Sequence, residues 1–203
     1  MAYVATRGLG GIVDLSLVVT AGTYPGAPWL SGTSNPLPSV TVENQLGQIV
    51  PAYDTSTTAQ GATGQGGFGE FMWLAVPTST AITAGLLYYW TPSDYKVVIV
   101  PASVSTTVSG APVALAVNAV TSNATNVQYT WFQVTGRCTA LKTAVTVLPN
   151  VSLYVSGTAG RVKVLLSTFR AILGARSANA TTITSTTSTV AIYLSRPVIQ
   201  ASQ

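Results

Sequence analysis

The chain has 203 residues, of which 47% are hydrophobic and 7% charged, with one cysteine, no histidine and a net charge of +4. A single cysteine excludes an intramolecular disulfide framework, and the missing histidine removes the commonest metal ligand and every Ser-His-Asp or Cys-His arrangement within one chain. The charged share is far below the usual figure of about 25%, so Ser, Thr, Asn and Gln carry the polarity, as in a β-protein with hydroxylated faces and surfaces covered by partners.

The first 19 residues, MAYVATRGLGGIVDLSLVV, do not read as a signal peptide, because Asp14 interrupts the apolar stretch after Arg7. Residues 22–38, GTYPGAPWLSGTSNPLP, hold four prolines and three glycines. They lack the N–H donors for long regular structure, so the segment is expected to be extended, with Trp29 as an anchor. Next, SVTVENQLGQIVPAY alternates Val40, Val42 and Ile49, which suits a hairpin turning near Leu46-Gly47. Residues 54–69 read as a loop. Within it Gly64 to Gly69 spells G-x-G-x-x-G, but a Thr/Gly loop precedes the motif and the strand-like FMWLAV follows it. A dinucleotide site needs a strand before and a helix after, so the match carries no chemistry.

From Phe71 strand candidates follow at short spacing. They are Phe71–Val76, Leu86–Trp90, Lys96–Pro101, Val113–Val120, Tyr129–Thr135, Cys138–Val147, Ser152–Ser156, Arg161–Leu166, Phe169–Arg176 and Val190–Leu194. Gly, Pro, Asn or Ser clusters separate them, the pattern of a small barrel or sandwich. Val162, Leu165, Leu166, Phe169, Ile172 and Leu173 also fit helical spacing; Gly174 and the β-branched surroundings favour strands. Thr181–Val190 is β-prone and of low complexity, open to a strand or to a long hairpin. Cys138, inside a strand-like run, reads as a small buried hydrophobe. The uncharged run 97–136 is broken every few residues by Thr, Ser, Asn, Gly or Pro, so it is not a membrane helix. The chain therefore divides into an extended N-terminal arm with a short hairpin, 1–70, and a β-barrel domain, 71–203.

The charges are segregated. All five acids, Asp14, Glu43, Asp54, Glu70 and Asp94, precede residue 95, beside one base, Arg7. The other eight bases run from Lys96 through Arg137, Lys142, Arg161, Lys163, Arg170 and Arg176 to Arg196. So complete a split implies two regions with different neighbours. The acids are unpaired in sequence, against the two flanking carboxylates a glycosidase needs, and no motif supports a Ser–Lys pair; no catalytic, cofactor-binding or metal-ligating residue is assigned. The bases are single and separated except Arg161 and Lys163, which share one face by the period-two rule. They read either as solvated charges or as a cationic face meeting an acidic protein surface; the clustering with stacking aromatics of a nucleic-acid groove is missing.

In order, the chain carries GAPVALAV (110–117), YTWFQVTGRCTALKTAV (129–145), VSLYVSGTAGRVKV (151–164), AILGARSA (171–178) and VAIYLSRPVIQ (190–200). This succession resembles the small β-barrel head decoration, or cement, proteins of tailed bacteriophages. The matching residues are Trp131, Gln133, Val134 and Gly136; Gly157 and Gly160; Gly174, Ala175 and Arg176; and Pro197 with Gln200. The resemblance covers about half the chain and implies an all-β, β-tulip-like antiparallel barrel with an extended N-terminal arm. It also implies a structural virion protein, not an enzyme, made in the host cytoplasm and bound to the outer capsid surface, where it cements adjacent subunits. The implied partners are the major capsid protein and further copies of the chain as a homo-oligomer, taken as a trimer, with no cofactor, nucleic acid or membrane. Arg161, Lys163, Arg176, Trp29 and Tyr24 are the candidate capsid contacts. The rival expectation is a glycan- or host-surface-binding module of a tail fibre or spike, with Trp29, Tyr53, Trp90 and Tyr95 flanking a groove.

Overall fold

The computed structural model describes residues 3–6, 12–14, 18–20, 46–54, 68–102, 108–164 and 170–201. The fold is all-β, with 54% strand and 1% helix, and its antiparallel sheet curls into a half-barrel. The strands are β1 (Tyr3–Thr6), β2 (Ile12–Asp14), β3 (Val18–Thr20), β4 (Ile49–Asp54), β5 (Phe68–Val76), β6 (Leu87–Trp90) and β7 (Val97–Ile99). They continue with β8 (Val113–Ala116), β9 (Gln128–Leu141), β10 (Ser152–Val155), β11 (Val162–Lys163), β12 (Arg170–Ser177) and β13 (Thr189–Ala201). The main path through the sheet is β11-β10-β12-β13-β9-β5-β4-β1-β2. A small leaf, β7-β6-β8, and the short β3 both attach to β9.

The leaf explains why VALA in β8 is buried at every position. Leu87, Val113 and Leu115 enter one apolar core, while Tyr88, Trp90, Ala114 and Ala116 enter a second. Alternate side chains of a strand point to opposite faces, so the leaf has a core on each side. β9 also serves both cores, giving Phe132 and Val134 to one and Cys138 and Ala140 to the other. A register shift opposite Glu70 and Phe71 leaves Val134 as the extra residue of β9, and Gly136 at φ +91° lies between these pairs. Such a bulge adds a residue to one strand and bends it. The buried Gln133 straps the bend, its Nε2 donating to the carbonyls of Thr135 at 2.9 Å and Arg137 at 3.1 Å.

Several expectations change here. The segments expected as Tyr129–Thr135 and Cys138–Val147 meet in one strand, Gln128–Leu141, because Gly136 bends the ladder without ending it; residues 142–147 follow without regular strand, with isolated bridges at Lys142 and Val147. The last strand runs on from Leu194 to Ala201, past Pro197. It does so through a register shift against β12 and Arg196 at φ +46°, a bulge where a missing N–H is tolerated. The helical spacing around 162–173 is not used in the described part, where 162–163 and 170–173 are strand. Thr181–Val190 holds an isolated bridge between Val147 and Ile183 and a turn at 185–186, and β13 begins at Thr189. The turn at Leu46-Gly47 is present, with Gly47 at φ +78° under the ring of Tyr95. The division at residue 70 falls inside β5. The described pieces of the first 54 residues pair with β4, β5 and β9 as part of the same sheet; residues 21–45 lie outside the described part.

Candidate functional surface

The register defines one broad face. Ser152 lies opposite Arg176, Arg176 opposite Tyr193, and Tyr193 opposite Arg137, so these four cross β10, β12, β13 and β9 in one row. Residues directly opposite across a ladder share a face. A second row joins Lys163, Tyr154 and Ala171, and a third joins Ser195, Thr135 and Glu70. Phe68 stands two residues before Glu70 and shares its side of β5.

This face carries three of the largest apolar exposures, Phe68 at 62%, Tyr193 at 50% and Leu173 at 48%. Isolated exposed apolar side chains need no explanation, but a group of them rimmed by cations marks a contact surface. The cations are Arg137, Arg176, Lys163 and Arg196. Arg176 is held upright by a bond from Nη1 to Oδ1 of Asn150 at 3.0 Å, and Arg137 donates Nη2 to the Ala178 carbonyl at 2.8 Å. The acid on this face among the described residues, Glu70, is gripped by Arg196 at 3.2–3.3 Å. The other described ion pair, Lys96–Asp94, lies elsewhere at 3.2 Å. There the Thr91 hydroxyl, and then Lys96, hold the exposed Asp94 carboxyl below its ordinary range.

A groove of about 570 Å³ opens on the face where two ladders slip, between Ser152 and Tyr154 on β10 and between Leu173 and Ala175 on β12. Gly174 takes φ +75° there, and a Cβ on it would fall 2.6 Å from the Ser195 carbonyl oxygen. Tyr154, Leu173, Arg176 and Tyr193 line the groove.

The predicted contact residues divide. Lys163 and Arg176 lie on this face, on strands separated by β10. Arg161 does not join them as a free cation: half-buried, it donates Nη1 to the Lys142 carbonyl at 2.9 Å, and so pins the start of β11. Trp29 and Tyr24 lie outside the described residues. Lys142 is 1% exposed. Its Nζ donates to the carbonyls of Val145, Thr184 and Thr143 at 2.9, 3.0 and 3.3 Å, and burial pulls its pKa below the ordinary lysine value. Of the aromatics proposed to flank a groove, Trp90 is in a core and Tyr95 covers Gly47; nothing is described of the Tyr53 side chain.

Sequence reasoning missed Phe68, Leu173, Tyr193 and Arg137. The alternation of Ile192, Tyr193 and Leu194 was a sufficient signal for Tyr193, since both neighbours are fully buried. Leu173 gave no such signal, because the extra residue at Gly174 shifts the alternation. Among the described residues no three His, Cys, Asp or Glu side chains gather as a metal site, and no helix is long and apolar enough to cross a membrane. No protein-family model matches the chain, and no curated protein is similar to it.

Proposed function

We propose that the chain is a structural virion protein that binds the outer surface of a tailed-phage capsid and cements adjacent capsid subunits. The observation that carries this reading is the composition of the broad face: Phe68, Leu173 and Tyr193 exposed among Arg137, Arg176 and Lys163, with Glu70 already neutralised by Arg196. Such a face fits a protein surface that offers acids around an apolar centre. Aromatic and arginine side chains are the groups that dominate contact energetics, and charge selects the partner more than it adds affinity. A rigid, two-core β platform suits a task in which adhesion, and not chemistry, is required.

The test is attachment of Lys163→Gln/Arg176→Gln protein to purified capsids across a salt series. Each surface pair is worth only about 0–1 kcal/mol. Because many copies each bind by several contacts, the loss should appear as detachment at moderate ionic strength, with a flatter salt dependence than wild type. The screening length at physiological salt is about 8 Å, so near-direct contacts alone should respond. Attachment identical to wild type at every salt concentration would refute the role of this face. Recovery of the protein from tails and not from shells would replace the capsid reading by the fibre-module reading.

A further inference from the structure

The groove beside Arg176 owes its shape to a mismatch between two strands. Ser152 faces Arg176 and Tyr154 faces Ala171, so two steps of β10 stand against five of β12. The surplus residues of β12 include Gly174, whose φ of +75° turns the chain out of the ladder. Small residues, Ala171, Gly174 and Ala175, line the opening, and its volume of about 570 Å³ falls within the roughly 300–1,000 Å³ of ligand sites. The two ends differ in chemistry. At one, Ser152, Arg176 and Tyr193 stand in a row; at the other, Tyr154 faces Ala171, and Leu173 follows on the same side of β12. One end is thus cationic and hydroxylated, the other apolar. Arg176 donates Nη1 to Asn150 at 3.0 Å, and its Nε–Nη2 edge has no partner among the described residues. That edge is the fork that takes a carboxylate through two parallel bonds.

We infer that this groove seats one extended segment of a partner protein in which a carboxylate and a large apolar side chain stand two positions apart. The carboxylate meets Arg176, and the apolar side chain lies among Tyr154, Ala171 and Leu173. The spacing follows from β10, where Ser152 and Tyr154 mark the two ends of the groove and are two residues apart, about 7 Å at the rise of a strand. In an extended occupant, residues i and i+2 point the same way at that same distance, whereas an adjacent pair points to opposite sides. The inference rests on the broad face being the contact surface, and it names the feature of the partner which that face selects. Charge favours an acidic occupant: Glu70, the described acid of the face, is already held by Arg196, so it does not compete for Arg176. Among the described residues no carboxylate or amide side chain lines the groove to accept the hydroxyl hydrogens of a neutral sugar. A phosphate backbone needs a track of cations, and the groove offers one guanidinium.

Titration of the isolated full chain with blocked pentapeptides, followed by the backbone NMR shifts of residues 171–176 and 193–195, supplies the test. Ac-Ala-Asp-Ala-Phe-Ala-NH2, or the reversed order Ac-Ala-Phe-Ala-Asp-Ala-NH2, should shift these resonances saturably, with a Kd in the millimolar range or tighter. Three changes should each weaken binding roughly tenfold or more, the scale of one lost charge-assisted pair. They are a probe with the acid next to the phenylalanine, a probe with Asn in place of Asp, and Arg176→Gln in the protein. Ala171→Phe should fill the apolar end and abolish binding; should that variant not fold, the two control probes and Arg176→Gln decide. Equal binding of all probes, or binding of none, overturns the inference. If it is overturned while Lys163→Gln/Arg176→Gln protein still detaches from capsids, the capsid reading stands without it. If the probes bind as stated and capsids do not retain the wild-type protein, the groove stands and the capsid reading falls.

Discussion

Replacing Gly136 by alanine should damage the bend of β9 on which both cores depend. Gly136 lies opposite Gly69 on one side and Leu194 on the other. Its φ is +91°, and a Cβ there would sit 2.4 Å from the Phe68 carbonyl oxygen and 2.8 Å from the Gly69 Cα. Both obstacles are backbone, so neither can swing away as a side chain would. A residue other than glycine held in such a conformation costs about 1–3 kcal/mol. Relieving the overlap requires β5 and β9 to part by roughly 1 Å, and comparable overpacking costs about 1–3 kcal/mol more. The expected loss is about 3 kcal/mol, a large share of the roughly 5–15 kcal/mol by which a domain is stable. Urea unfolding should show a lower midpoint with an unchanged slope. Gly157→Ala is the control, since no atom lies within 4 Å of a Cβ there and its φ is not positive. If both variants unfold within about 0.5 kcal/mol of wild type, a range expected of unconstrained surface sites, the account of the β9 bend is wrong.

Lys142→Met keeps the aliphatic stem but removes the donor for three carbonyls. Charge-assisted bonds of roughly 1.5–3 kcal/mol each, set against several kcal/mol for burying an ammonium, leave an expected loss of about 2 kcal/mol. Burial lowers the folded pKa of Lys142 below 10.5, so between that lowered value and 10.5 the unfolded chain binds more protons. The stability of wild type relative to the Met variant should therefore rise with pH across that window; a gap that narrows in alkaline urea titrations would show the carbonyl cage holding the proton more tightly than water does. Cys138 lies opposite Ile192 inside a core, and burial pushes its thiol pKa far up. Thiol reagents at pH 8 should modify it only as fast as the chain unfolds, and Cys138→Ser should cost about 1–3 kcal/mol for a buried hydroxyl; rapid labelling of native protein would contradict this placement.

What the sequence made legible was the all-β fold and the positions of most strands, because the pattern of apolar residues between Gly, Pro and Asn is set by local sterics. The limits of the strands were less legible where the ladder is irregular. Gly136 and Pro197 both look like strand ends by their own chemistry, yet Gly136 stays in register just past a bulge and Pro197 sits within one, and each strand continues. Lys142 shows the limit for charges. Its acceptors are backbone carbonyls of Thr143, Val145 and Thr184, and a carbonyl is present at every position, so nothing in the sequence distinguishes this lysine from a solvated one. Arg161 is the same case, its partner being the Lys142 carbonyl. Lys163 and Arg176 have neighbours opposite them, Tyr154 and Tyr193, that follow from strand pairing, so their place on the broad face is of the kind a sequence can suggest.

The charge segregation shows how a property of the linear chain becomes a property of the sheet. On the main path, residues 3–76 supply β1, β2, β4 and β5, while residues 128–201 supply β9 to β13. The early and late parts of the chain thus occupy opposite sides of one seam, between β5 and β9. Any segregation of charge in the sequence is then carried over as segregation across the sheet. Across that seam Glu70 of β5 meets Arg196 of β13, over the Thr135–Ser195 row. With side-chain exposures of 27% and 68%, the pair is worth about 0–1 kcal/mol and does little for stability. Its effect is local: it neutralises Glu70 on the broad face and leaves Phe68, Leu173 and Tyr193 among Arg137, Arg176 and Lys163.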